Sequence, residues 1–479
     1  MNTQESISQL QQFREELYHF VDHRADALMD LLDALTCTPD ARSVVELSQS
    51  PLFRRGYGSI SDAIDGWFQA STSDKACEER RVKEKALARL IGHYLPAPQR
   101  RPFYLFGTDV VPIPRLFAPT LKDRGFVYQP NQVRGNKPVT IGHAYSMLAH
   151  LPEKRQPDDP PWVVPMVMRR VQSSEKATVV GAEQMTMLAE DETQPFHDAL
   201  CVHVIDSAYS GVEFLGRVAS HKNWVNVSRA AANRVFYRQA IAQESAPPGH
   251  PAWYGTPFSL KDPTTWGTPN STAQTTFTTK KGQTYQVRLE GWHNLLMRGK
   301  RDHPMHSYPF TLIRAVVVDQ EGKPVFKRAL WLIVLGERRG ELSLVEAWEA
   351  YRQRYDLEHF FRFGKQRLLM ASYQTPDVEH EENWLQIVQV AAVQLWLACN
   401  LVEADRRPWE RYLPKRASSI LPPSQVQRGL ERVIRQIGTP AQPPKRRGKS
   451  PGRAQGFHPE HRQRLSVVKK QKTGHKQAS

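Results

Sequence analysis

Three acidic residues stand where a carboxylate is costly to bury unless it is paired or metal-bound. Asp109 closes the apolar run that begins at Pro102, and Asp206 closes the apolar run Leu200 to Ile205. Both runs read as buried strands. Side by side, they would set two carboxylates on one sheet edge, a hard-oxygen donor set suited to Mg²⁺ or Mn²⁺. For either aspartate alone, capping a turn is the plainer role. The third acid is Glu358, in Tyr351-Arg-Gln-Arg354-Tyr355-Asp-Leu-Glu358, with Lys365 following. On a helix turning about 100° per residue, with Tyr351 at zero, Arg354 falls near 300°, Lys365 near 320° and Glu358 near 340°. One stripe about 60° wide thus presents a carboxylate, two cations and a phenol. A plain Arg354–Glu358 i,i+4 ion pair accounts for part of it on structural grounds.

The elements that must hold these residues follow from hydrophobic periodicity. Residues 1–95 read as helical: Gln11 to Leu35 is apolar at helical spacing, Ser43 to Leu47 follows, and a helix begins near Ser59. With Arg54 and Arg55 close by, two short helices here could form a helix-turn-helix or an ordinary bundle. Glu78 to Leu90 alternates acids and bases, the pattern of a solvated helix face. Residues 96–238 alternate strands (102–109, 139–149, 162–171, 200–205, 224–228) with a helix near 181–188, which implies an α/β sheet. Residues 239–335 read as an inserted all-β module, with hairpins around Lys280-Lys281-Gly282 and Asp319 to Gly322. A long helix from Ser343 to Met370 and another from Glu381 to Glu403 complete 336–410, and 411–479 is a basic tail.

The chain has 479 residues, with 65 Lys and Arg against 49 Asp and Glu, a net charge of +16. Ten of those charges lie in 441–479, which reads as a disordered, phosphate-binding arm. The excess points to a polyanion, nucleic acid first. The most apolar segment, Leu385 to Val402, is broken by Gln386, Gln389 and Gln394, so no membrane partner is expected. The N-terminus has no secretory pattern. The four cysteines are scattered, and His303-Pro-Met-His306 is too sparse for zinc. His380-Glu381-Glu382 reads as an acidic helix start. No glycine-rich phosphate loop appears.

Tyr351, Arg354, Glu358 and Lys365 fit the spacing Y-(2)-R-(3)-E-(6)-K. On that signature the chain resembles a branch of bacterial insertion-sequence transposases of the DDE class. Asp206-Ser-Ala-Tyr209 resembles the branch's second motif, D-(1)-(G/A)-(1)-(Y/F), and Asp109 in Phe-Gly-Thr-Asp its first. The gap between Asp206 and Glu358 has room for the β-strand insertion domain that this branch carries.

The resemblance implies an RNase H-like core whose Asp109, Asp206 and Glu358 hold two divalent metals, Mg²⁺ or Mn²⁺. Tyr351, Arg354 and Lys365 would contact phosphates near the cut. Trp331 sits where this family places an aromatic that stacks on a flipped base, although a core tryptophan on a strand fits equally. Tyr209 and Arg229 would lie along the element end. The implied reaction is cleavage and strand transfer at terminal inverted repeats of double-stranded DNA, by cut-and-paste through a hairpin. A homodimer on DNA in the bacterial cytoplasm, at the nucleoid, goes with it. Two other readings share some of these features: a domesticated DNA-binding protein that no longer cleaves, and a general RNase H-like nuclease.

Overall fold

The computed structural model describes residues 3–72, 75–129, 138–240, 253–279, 282–404, 407–410, 412, 418, 420–445, 452, 454–458 and 460–469. In chain order the helices and strands are α1 (Thr3–Phe20), α2 (Ala25–Cys37), α3 (Gly58–Asp65), α4 (Ala76–Gly92), β1 (Tyr104–Pro114), β2 (Gly125–Tyr128), β3 (Val139–His150) and β4 (Val164–Val171). They continue with α5 (Ala177–Ala189), β5 (Cys201–Ile205), α6 (Val212–Val218), β6 (Trp224–Arg229), β7 (Val235–Gln239), β8 (Tyr254–Ser259), β9 (Ser271–Thr278), β10 (Thr284–Leu295), β11 (Phe310–Val318) and β12 (Leu330–Leu335). The last are α7 (Leu344–Gln353), α8 (Asp356–Arg367), α9 (Val378–Leu397) and α10 (Pro423–Ile437).

The apolar runs pair as a mixed sheet. β1 lies antiparallel to β3 and parallel to β5, and β5 lies parallel to β6. On its other edge β3 pairs with β2 and then β4. This is an α/β core of the nuclease-like kind. The strands expected as a separate β module do form, but four of them belong to the core sheet. β12 runs antiparallel to β6, with Ile333 opposite Ser228, and β11, β10 and β9 follow outward. β7 and β8 make a separate two-stranded ribbon.

Helix α9 is the pillar behind the sheet. The three glutamines that break its apolar pattern are buried and bonded to neighbouring elements. Gln386 accepts from the Trp67 indole at 2.6 Å, Gln389 donates to Met166 O at 2.8 Å, and Gln394 accepts from Arg14 at 2.8 Å. The N-terminal helices are therefore packed on the core through polar keys as well as apolar contact. No helix among the described residues is long and apolar enough to cross a membrane.

Two expectations for the flanking elements are corrected, for 11–35 and for the charged helix α4. The stretch 11–35 is two helices, α1 and α2, parted at a left-handed Arg24. Arg54 and Arg55 both pair with the buried Asp30 carboxylate. The charged helix α4 is not simply a solvated face: its Glu84 is buried against Arg169 at 2.8 Å, and its Arg80 meets Glu382 at 3.0 Å. Glu381 stands in the acidic first turn of α9, as expected, and is fully buried there, contacting Arg115 and His143, each at 3.0 Å. This trio ties the end of β1 to β3 and α9. In the tail, Leu465 N donates to Pro119 O at 3.0 Å and Val468 N to Arg124 O at 2.8 Å, so that stretch docks beside β2.

Candidate active site

The parallel register of β1 and β5 sets Thr108 opposite Ile205, so the two strands deliver Asp109 and Asp206 to the same sheet edge. Behind them runs a buried polar ladder. Thr108 Oγ1 lies 2.8 Å from His203 Nε2, and His203 Nδ1 lies 3.0 Å from Asn226 Oδ1. Burial pushes the His203 pKa down to about 4. The neutral ring therefore donates from Nδ1 to Asn226 and accepts at Nε2 from the Thr108 hydroxyl. This ladder links β1, β5 and β6 immediately behind the acidic edge.

Glu358 arrives from α8, and the close packing of α8 on β1 sets its height. Leu357, fully buried, sits over Gly107: a Cβ on that glycine would stand 3.1 Å from Leu357 Cδ1. Glycine at 107 thus lets α8 approach two residues from Asp109. The expected single helix from 343 to 370 is instead two. α7 ends at Gln353 and α8 starts at Asp356, with i→i+3 hydrogen bonds from Leu357 N to Arg354 O and from Glu358 N to Tyr355 O. This tightened turn is the kind found where a helix is adapted to a site. The Asp356 carboxylate is held inward at 2.7 Å by Lys154. The helix also stops at Arg367, short of Met370, because Leu369 takes a left-handed conformation.

At the centre lies Arg354. Its Nη1 donates to Asp109 Oδ2 at 2.9 Å, and its Nη2 stands 3.7 Å from Glu358 Oε1. Burial pushes the Asp109 carboxyl up. Arg354 and the Val110 N–H oppose that shift, while Asp206 and Glu358 add to it as like charges. All three acids therefore share one electrostatic field. Asp206 uses one oxygen to cap its own turn, accepting from Ala208 N at 2.8 Å. Glu358 remains nearly half exposed.

The remaining candidates divide. Tyr351 is part-buried with the Arg354 guanidinium 5.9 Å from its ring, and its phenol feels both Arg354 and Arg229. Arg229 is exposed at the end of β6. Lys365 has no acidic partner among the described residues, and its ammonium is pushed down by burial. Tyr351 and Arg229 join the acidic edge, and Lys365 follows Glu358 along α8. Two others are buried. Trp331 is buried among Trp266, Trp292 and Phe258, with ring centroids at 5.1, 5.7 and 6.4 Å, which leaves no free face for a base. Tyr209 is buried edge-on against Phe214, at 5.3 Å, beside Gly181, and burial pushes its phenol up, with the charges of Asp109 and Asp206 adding to the shift, so it lies beneath the acidic edge. Trp331 belongs to the core because its strand position points it inward. Arg234, in the turn after β6, was not legible in the sequence. Its guanidinium, partly desolvated, donates to Ser210 O at 3.4 Å, just beyond Asp206.

As they stand, no three His, Cys, Asp or Glu side chains among the described residues converge closely enough to hold an ion. The Arg354 guanidinium lies between Asp109 and Glu358 and acts there as a stand-in cation. Asp109 and Glu358 share that cation and Asp206 acts on it through its charge, so the chemistry of the donor set, three carboxylates, is of the kind that suits a divalent ion.

Residues 16–294 match the family described as DDE superfamily endonuclease, and they include both strand-end aspartates. The chain belongs to the DDE superfamily endonucleases. The match covers more than half the chain and ends before α7, so it does not reach Glu358. No curated protein matches the chain. As an endonuclease of this superfamily it is a nuclease- or transposase-type enzyme with DNA as its substrate. Endonucleases of the superfamily generally use divalent metal ions.

Proposed function

We propose that this DDE endonuclease is a transposase that cleaves and joins DNA at the ends of an insertion sequence, with Asp109, Asp206 and Glu358 as its metal-holding carboxylates. The observation that carries the reading is the pairing of Arg354 with both Asp109 and Glu358, beside the sheet edge to which parallel β5 delivers Asp206. The Y-(2)-R-(3)-E-(6)-K spacing supports the insertion-sequence branch.

The carboxylates would hold two Mg²⁺ or Mn²⁺ ions, whose chemistry is to activate an attacking oxygen and to offset charge on the departing one. The rest falls to this chain's own side chains. Arg354 releases Asp109 and Glu358 and turns its planar fork to a phosphate. Lys365 and Arg229 add point charges on either side. The Tyr351 hydroxyl donates a hydrogen bond to a neighbouring phosphate. The Asp109 carboxyl, pushed up by burial, would be held in its charged form by the cations that take over from Arg354. Water serves as nucleophile for the first cut, and a DNA 3′-hydroxyl serves for hairpin formation or joining. Bringing two ends together calls for a dimer on DNA.

The test is cleavage of DNA carrying the flanking inverted repeats by purified protein with Mg²⁺. Cleavage at the repeat boundary supports the reading. Binding without cleavage under any divalent ion would favour a DNA-binding role alone.

A further inference from the structure

A second charged feature borders α7. A cleft of about 630 Å³ opens between segments 100–103 and 153–157 on one side and β9 and α7 on the other. Two of its three acids are already engaged. Glu153 accepts the backbone N–H groups of Gln99, Arg100 and Arg101, and Glu346 closes the capping box at Ser343. Its arginines outnumber the acid left over: Arg100, Arg155 and Arg352 have no ion pair within 4.0 Å among the described residues, and Glu349 acts on Arg352 only through its charge. Arg101 is largely desolvated without one. It donates to Leu151 O at 2.6 Å and to Gln353 at 3.1 Å, and its Nε is buried with no partner. Arg352 is held extended over the rings of Phe277 and Trp348, at 4.3 and 4.6 Å. Such stacking fixes a guanidinium in place before a ligand arrives.

One helix serves both features. Tyr351 and Arg354 face the carboxylates, while Arg352 and Gln353, between them in sequence, face the cleft. A polyanion crossing α7 would touch both. We infer that this cleft carries the sugar–phosphate backbone of DNA leading away from the cut, gripped by Arg100, Arg155 and Arg352. The inference rests on the endonuclease reading for the position of the cut. DNA is favoured over an acidic protein segment because a continuous chain of phosphates can reach the catalytic edge and the cleft together.

The test uses the full chain, a labelled random-sequence duplex and a KCl series. Each phosphate contact contributes about 0.9 to the slope of log K against log salt. Arg100→Gln, Arg155→Gln and Arg352→Met are each expected to weaken binding and to flatten that slope by about 0.9, with Arg155→Lys restoring it. The Arg352→Met side chain keeps an apolar stem on Trp348. Unchanged melting temperatures would show that the variants remain folded. Unchanged affinity and slope in all three folded variants would overturn the inference. So would a polyglutamate peptide that binds wild type but not these variants while leaving DNA binding intact. Mg²⁺-dependent nicking is measured on the same preparations. Nicking with no cleft effect sinks the cleft and spares the endonuclease; a cleft effect with no nicking does the reverse.

Discussion

Arg354 Nη1 lies 2.9 Å from Asp109 Oδ2, so the first acid of the proposed triad is held from the tight turn that leads into the helix supplying the third. The contact opposes the burial that raises the Asp109 carboxyl. Replacing Arg354 with Gln removes that opposition, and the Asp109 carboxyl rises further. The acid limb of the cleavage pH profile is expected to move to higher pH, along with a fall in rate. Profiles of wild type and Arg354→Gln compared at saturating Mg²⁺ check this. Coincident acid limbs would count against the pairing.

Asp109 itself is stored strain. Its folded pKa lies above the unfolded value, so the folded state binds the proton more tightly, and stability declines as pH rises from the unfolded value of 3.8 through the folded one. Asp109→Asn is therefore expected to raise the melting temperature at pH 7 while removing cleavage. The gain should shrink toward pH 4. A variant less stable than wild type at pH 7 would contradict this.

His203 titrates with the opposite consequence. Its folded pKa, pushed down to about 4, lies below the usual 6.5, so the unfolded chain takes up the proton first as pH falls. Its contribution is complete above pH 6.5 and is lost between there and pH 4. The melting temperature of wild type is expected to fall across that window, and His203→Gln should flatten the fall. Equal slopes for the two proteins would exclude His203 as the cause.

Trp331 separates a core role from a stacking role. Truncating a buried tryptophan costs about 3–5 kcal/mol. Trp331→Ala should lose stability of that order in urea denaturation, whereas Trp331→Phe should keep most of its cleavage. A stable Trp331→Ala protein with a specific hairpin defect would restore the base-stacking role.

Much of this site was readable from the residues. Apolar runs ending in Asp109 and Asp206 announce strands with charged ends, and parallel pairing brings the ends together. The helical stripe placed Glu358, Arg354 and Tyr351 on one face, although a tightened turn at 354–358 breaks the ideal 100° spacing. What could not be read is tertiary. Nothing local says that Gly107 is the seat for Leu357, or that Glu381, beside two exposed-looking neighbours, is buried against Arg115. Trp331 and Tyr209 carried a family motif's position, yet their direction depends on which sheet face is covered. The β-rich stretch was legible as strands, but its continuation of the core sheet depends on the β6–β12 pairing, across a hundred residues of chain.

The most direct measurement is Mg²⁺-dependent cleavage of end-bearing DNA by wild type, Asp109→Asn, Asp206→Asn and Glu358→Gln, with DNA binding followed in parallel. All three substitutions should abolish cleavage while leaving DNA binding in place. Full cleavage by the Glu358→Gln protein would contradict the triad, because the helix carboxylate would then have no part in the chemistry.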